Sequence, residues 1–291
     1  MKNIEHRKEL LYSRQIGTYG QKTNEKLMSL KIMIFGMRGL GIEVAKNIIL
    51  SGPKIVSIFD DKLVTKNDLA SNFYLEEKDL NQRRDESVLQ KLKELNPYVE
   101  ISIIDDLNEK NRLAKFDVIV QTELLAEEKL IELNNFCEDN KIVFIYAAVL
   151  ALNGFIFSDF GPHHTILDIN GKENEKYHCK NISNEKNALI TIEEKKDVKL
   201  KQNDILTIKH VEGMSEINEI ENVKILSKND NSNFIIDLDT TNFGKYIQGG
   251  LISKVKQPII KNYKSFTETI NILFNRKNIE ENIVLDAHED S

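Results

Sequence analysis

Apolar residues change their period near residue 150 of this chain, and the two regimes predict two kinds of structure. Residues 1–30 carry helical spacing, in HRKELLYSRQIG and QKTNEKLMSL, with a break read at Thr18 to Gly20. Lys31 to Phe35 (KIMIF) is a short apolar run that ends in Gly36, as a buried strand entering a tight turn would. GIEVAKNIILSG then reads as a helix stopped at Gly52. KIVSIFD, VEISIID, FDVIVQ and KIVFIYAAV are four more buried strands, separated by helices in DESVLQKLKELN and EEKLIELNNFCEDN. Strand–helix alternation of this kind predicts a mostly parallel Rossmann-like sheet covered on both faces. After residue 150 the runs shorten: NGFIFSDFG, HHTILDING, ALITIEE, NDILTIKHV, NVKILS, NFIIDLD and GLISKVK, with Gly, Asn and Asp between them. Short, evenly spaced strands without a long helix predict a small all-β barrel-like domain. A last helical pattern, KSFTETINILF, follows Pro258. The expected domains are residues 1–168, 169–257 and the start of a helical region at 258–291.

Composition narrows the classes. The net charge of −6 argues against nucleic acid, whose partners carry a basic stripe. No apolar run reaches the roughly 18 residues that span a bilayer, and MKNIEHRKELLYSRQ is too polar for a signal peptide. Two distant cysteines, Cys137 and Cys179, make neither a disulfide framework nor a metal site, so a reduced intracellular chain is expected.

The candidate chemistry starts at Gly36-Met37-Arg38-Gly39-Leu40-Gly41, where a dinucleotide fingerprint belongs. The fingerprint G-x-G-x-x-G uses its second glycine to let backbone approach a phosphate, and Arg38 stands at that position. The turn therefore reads as structural ahead of nucleotide-binding. Arginine is itself a phosphate ligand, so sterics alone leave both readings open. Asp60 ends the second strand, where a ribose-binding carboxylate sits in this fold.

Three segments of the first part, Tyr12-Ser13-Arg14-Gln15-Ile16, Gly36 to Leu50 and Asp68 to Leu75, resemble the inactive adenylation half of ubiquitin-activating enzymes. Glu94-Leu95-Asn96, Phe157-Ser158-Asp159-Phe160-Gly161, Val211-Glu212-Gly213-Met214 and Thr241-Asn242-Phe243 through Pro258 continue the likeness into their first catalytic-cysteine half-domain. Small subunits of SUMO-activating enzymes share the first part without this β insertion. The resemblance implies two related ThiF-like halves, of which one binds ATP and magnesium. The active half carries D-x-D, then S-N-x-N-R-Q-F. Here Asp60 is followed by Lys62, Ser71-Asn72 by Phe73-Tyr74-Leu75-Glu76, and Arg84 lies near the expected lysine, with Glu123 unassigned as a metal-binding acid. This half accordingly resembles the inactive one. The matching Arg14 is expected to reach the ATP phosphates of the active half.

The same resemblance implies ubiquitin, the active adenylation half and, through the whole enzyme, conjugating enzymes as partners, in cytoplasm and nucleus. ATP and magnesium would be cofactors of the whole enzyme, with none bound by this fragment. Two rival readings are a non-catalytic ThiF-like scaffold and an NAD-dependent oxidoreductase; Arg38 counts against the second. Cys179 is read as an ordinary thiol and Cys137 as a packed one, since the acceptor cysteine belongs to the second half-domain. His163-His164 lack supporting ligand spacing. The Lys195–Lys201 run reads as a solvated loop, with a ubiquitin contact left open.

Overall fold

A computed structural model describes residues 2–105, 110–193 and 198–274. They fall into two compact units: the chain up to His164 together with the chain from Lys261 on, and Thr165–Ile260. In the first, α1 (Lys2–Tyr19) and α2 (Gln21–Ser29) precede β1 (Lys31–Phe35). Helix α1 continues through Thr18 and Tyr19, and the break expected at Thr18 to Gly20 falls at Gly20, at φ 83°. Next come α3 (Gly39–Ser51), β2 (Ile55–Phe59), α4 (Lys66–Ser71), α5 (Arg84–Leu95), β3 (Glu100–Ile103), α6 (Lys110–Leu113), β4 (Val118–Gln121), α7 (Glu127–Asp139), β5 (Val143–Leu150) and β6 (Asn153–Asp159).

The sheet runs β3-β2-β1-β4-β5-β6; the first five strands are parallel, and β6 returns antiparallel beside β5. Both faces are covered, and β1 shows why its run is continuously apolar. Ile32 and Ile34 face the core shared with Ile42, Ile49, Val88 and Leu92 of α3 and α5. Met33 and Phe35 face the opposite core with Leu130 and Cys137 of α7. Side chains alternate along a strand, so a strand buried on both sides has no polar position to offer.

Strand β7 (His164–Ile166) spans the boundary, and the second unit continues with β8 (Lys176–Ile182), β9 (Leu189–Ile192), β10 (Ile205–Glu212), β11 (Val223–Lys228), β12 (Asn233–Ile236) and β13 (Gln248–Val255). Strands β8 to β13 close into a barrel in the order β10-β11-β12-β9-β8-β13. Its interior is filled by Ile190, Ile208, Ile225, Phe234, Ile236 and Ile252. Strand β14 (Ile259–Lys261) pairs with β7, and α8 (Phe266–Leu273) closes the described chain. Helix α8 opens with a capping box at Ser265, and the Phe266 amide donates to Asn134 Oδ1 of α7 at 2.7 Å.

The crossover from β1 to α3 is made by glycines, two of which, Gly36 and Gly41, leave no room for a Cβ without a shift of their neighbours. A Cβ at Gly41 would lie 1.9 Å from the Gly36 carbonyl oxygen and 2.6 Å from Thr122 Oγ1. At Gly154 the nearest atom would be 3.6 Å away, ordinary contact. Urea unfolding should therefore find Gly41→Ala about 1–3 kcal/mol less stable than the parent. Gly154→Ala serves as the control, with a smaller loss; equal losses would contradict the close-packing account.

Candidate functional site

In a parallel sheet of this order, ligands bind beyond the carboxyl ends of the strands, at the switch point between β1 and β4. The glycine turn after β1, Asp60 after β2, and Thr122 and Glu123 after β4 meet there. A buried cation organises them. The Arg84 guanidinium, on the first turn of α5 and 7% exposed, donates through Nη1 to Asp60 Oδ2 at 2.8 Å and through Nε to Asp68 Oδ2 at 3.2 Å. Glu123 Oε1 lies 3.7 Å from the same Nη1. Burial works against the Arg84 charge, but the Asp60, Asp68 and Glu123 carboxylates hold its pKa above that of an ordinary arginine.

Both aspartates are fully engaged. Asp60 Oδ2 also accepts the Met37 amide at 2.8 Å, and Asp60 Oδ1 accepts the Lys62 amide at 3.2 Å. Asp68 Oδ2 caps α4 by accepting the Thr65 amide and hydroxyl, each at 2.8 Å. Burial alone would raise the Asp68 pKa; the Thr65 and Arg84 hydrogen bonds outweigh it and hold the carboxyl below the usual carboxylate range. Arg38, the residue preceding α3, turns its half-exposed side chain to Asp68, with Nε 3.3 Å from Oδ1. Lys62 reaches Glu123 at 3.0 Å, while Glu123 itself packs where a Gly36 side chain would be. Asn72 Nδ2 donates to the Met37 carbonyl at 2.9 Å, so the turn is held from both sides. A mostly apolar cavity of about 420 Å³ opens beside this network, walled by Phe35, Phe59, Leu113, Leu133 and Phe136.

The structure thus brings Gly36, Arg38, Gly39, Gly41, Asp60, Lys62, Asn72, Arg84 and Glu123 to one place. The linking role of Arg84 and the position of Asp68 at its centre were missed in sequence. The capping pattern Thr65-x-x-Asp68 was the available signal. Arg14 lies elsewhere: its helix docks at the far end of α3, where Gln15 Nε2 donates to the Ser51 carbonyl at 3.1 Å. The 13 residues of α3 separate that end from the glycine turn by roughly 20 Å.

The remaining candidates have ordinary surroundings. Burial pushes the Cys137 thiol up to about 12 and the Cys179 thiol up to about 11, which removes thiolate character. The His164 ring stacks near Phe160 and Tyr263, while His163 is exposed. Among the described residues, no group of three or more His, Cys, Asp and Glu is arranged to hold a metal, and no helix is long and apolar enough to cross a membrane. Lys195 and Lys196 lie outside the described residues; Lys199 pairs with Glu175 at 3.6 Å.

Sheet order, glycine turn and terminal acid define a nucleotide-binding type of α/β unit whose charges are compensated from within. The model of the ThiF family matches residues 12–246, and the chain belongs to that family. It is 38% identical over 264 residues to "Ubiquitin-activating enzyme E1 1" of Arabidopsis thaliana, a match covering 90% of this chain and 24% of the relative. "Ubiquitin-like modifier-activating enzyme 1" of Dictyostelium discoideum is 35% identical over 277 residues, covering 93% and 26%. The Homo sapiens enzyme of that name is 32% identical over 264 residues, covering 90% and 24%. The similarity is thus to an E1-like amino-terminal part, and the chain spans about a quarter of the length of these curated relatives.

Removing the buried cation should show how far the turn depends on it. Arg84→Met leaves Asp60 and Asp68 buried without their partner, and should cost about 3–5 kcal/mol at pH 7 by urea unfolding. The Asp68 pKa is lowered in the fold, so its contribution is present above the unfolded-state value and is lost as pH falls through the folded one. The gap between variant and parent should narrow towards pH 3. A gap below 1 kcal/mol at pH 7, or one of constant size at both pH values, would contradict this account.

Proposed function

We propose that this chain is the inactive adenylation half and first catalytic-cysteine half-domain of a ubiquitin-activating enzyme. In this reading residues 1–168 are the half-domain that lacks nucleotide chemistry, 169–257 are the β half-domain that faces ubiquitin, and 258–291 begin a helical region. The whole enzyme, with ATP and magnesium at its other half, would adenylate the carboxyl terminus of ubiquitin. It would then pass it through a cysteine thioester to conjugating enzymes. The observation that carries the reading is the Arg84 network. A nucleotide needs an acid free for its ribose, a metal-binding carboxylate and open amides beside a small residue. Asp60 is engaged by Arg84 and Met37, Glu123 by Lys62 and Arg84, and Arg38 stands in the turn. The oxidoreductase reading loses its ribose acid on the same ground.

What this half contributes to catalysis, in this reading, is Arg14. Its exposed side chain lies about a helix length from the glycine turn of its own half and has no partner among the described residues, as an arginine directed at a neighbouring unit requires. A guanidinium supplied from outside offsets charge that develops on phosphate, as donors arranged around an oxyanion do.

Titration calorimetry of the chain with Mg-ATP should give no saturable micromolar isotherm; one-to-one binding would overturn the inactive-half assignment. With the active half supplied, Arg14→Ala should slow ATP–pyrophosphate exchange by about 10²–10³-fold, the cost of removing one preorganised donor. Exchange at the parental rate would return Arg14 to an ordinary surface residue.

A further inference from the structure

Among the described side chains of α1, Tyr12, Gln15 and Ile16 are the ones turned inward, and the anchor they form is polar. Tyr12 is 3% exposed, and its Oη accepts a hydrogen bond from Asn96 Nδ2 at 2.8 Å. The same Nδ2 donates to the Ile49 carbonyl at 2.9 Å, and Asn96 Oδ1 accepts the Tyr98 amide at 3.2 Å. One buried amide therefore ties the end of α5, the end of α3 and helix α1 together. The tyrosine reaches it by lying over Gly52, which ends α3 at φ 83°. A Cβ there would come within 2.3 Å of Tyr12 Oη and 2.5 Å of Cζ. Gln15, one turn on, holds the Ser51 carbonyl beside it.

Helical geometry turns this anchor into a direction. Residues 12, 15 and 16 share a face, and position 14 lies about 200° around the axis from position 12. The burial agrees: Tyr12 is buried, Gln15 and Ile16 are half-buried, and Ser13 and Arg14 are exposed. A phenylalanine would fill the same space without the directional bond. We propose that Tyr12, seated on Asn96 and Gly52, is a positioning residue that fixes the rotation of α1 and so presents the Arg14 guanidinium outward, to a phosphate held by a neighbouring unit. The role of Arg14 in this statement rests on the function proposed above; the anchor itself rests on the contacts just given.

Two measurements separate them. In the first, a nitroxide is attached to Arg14→Cys in the full chain; Cys137 and Cys179 are buried and stay unlabelled under mild conditions. Tyr12→Phe should make the label more mobile in the electron paramagnetic resonance spectrum, and Gln15→Ala in the same background more so, with the melting temperature little changed. An unchanged spectrum overturns the anchor, whatever Arg14 does. In the second, with the active half supplied, Tyr12→Phe should lower the kcat of ATP–pyrophosphate exchange about tenfold at nearly constant KM for ATP, because small misplacements of a catalytic group are costly. In the Arg14→Ala background it should add nothing. Equal losses in both backgrounds would make Tyr12 merely structural. A normal rate for Arg14→Ala alone would refute the function proposed for that arginine and, with it, the outward presentation to phosphate.

Discussion

One buried guanidinium sets the form of the crevice edge. Two carboxylates as deeply enclosed as Asp60 and Asp68, at 4% and 0% exposure, are costly unless something neutralises and hydrogen-bonds them. Arg84 does both, through separate nitrogens. Each aspartate then has an oxygen placed for a further task. Asp60 receives the Met37 amide and so fixes the glycine turn; Asp68 receives Thr65 and so starts α4. From α4, Asn72 returns to the Met37 carbonyl and closes the circuit. Asp85, next to Arg84, accepts the Asp60 amide at 2.9 Å and pairs with Arg83 at 2.8 Å. The start of α5, the end of β2 and the turn after β1 are thus one electrostatic unit.

That unit places both signs of charge, drawn from the chain itself, at an edge where this architecture can hold an anion. In a ligand-binding relative of this architecture the cation-and-amide edge is completed by a phosphate and a ribose. Here the negative charge is internal, from Asp60, Asp68 and Glu123, and the positive charge comes from Arg84, Lys62 and Arg38. These charges are paired with one another across three segments of the chain. Helix α1 lies at the opposite end of α3, where Gln15 holds the Ser51 carbonyl and Tyr12 lies over Gly52.

Much of this was legible in the chain. The parallel strands are legible because most are covered on both faces, which leaves mostly apolar runs such as Ile32 to Phe35 in β1 and Ile55 to Phe59 in β2, the latter interrupted only by Ser57. The barrel was found from its short runs, with one exception. Strand β8, KYHCKNI, buries only Tyr177, Cys179 and Ile182, and a register shift between Cys179 and Asn181 breaks its alternation. Helix α4 was missed because its six polar-rich residues are held by a cap and by Arg84 rather than by an apolar stripe. The glycine turn and Asp60 are visible as a motif, and Arg84 stands near the position of the expected lysine. Its partners were not, because Asp60 and Asp68 are 24 and 16 residues away and Glu123 meets Lys62 across 61 residues. Those distances close only once the strand order β3-β2-β1-β4 is known.

Packing alone accounts for glycine at two positions of this turn. Gly36 sits at φ 90°, and a side chain there would strike Glu123 Cγ at 2.5 Å and Thr122 Oγ1 at 2.8 Å. Gly39 lies where a Cβ would be 3.0 Å from Ser71 Cβ, tight but negotiable. Gly41 faces the Gly36 carbonyl at a distance no side chain tolerates. All three constraints come from protein atoms: the β4 end, α4 and the turn's own backbone. Selection on packing alone would keep Gly36 and Gly41. The position whose use in the fingerprint is close approach to the pyrophosphate is the one that Arg38 occupies here. The turn therefore carries two separable demands, close packing at Gly36 and Gly41 and the space beside a phosphate at the position of Arg38.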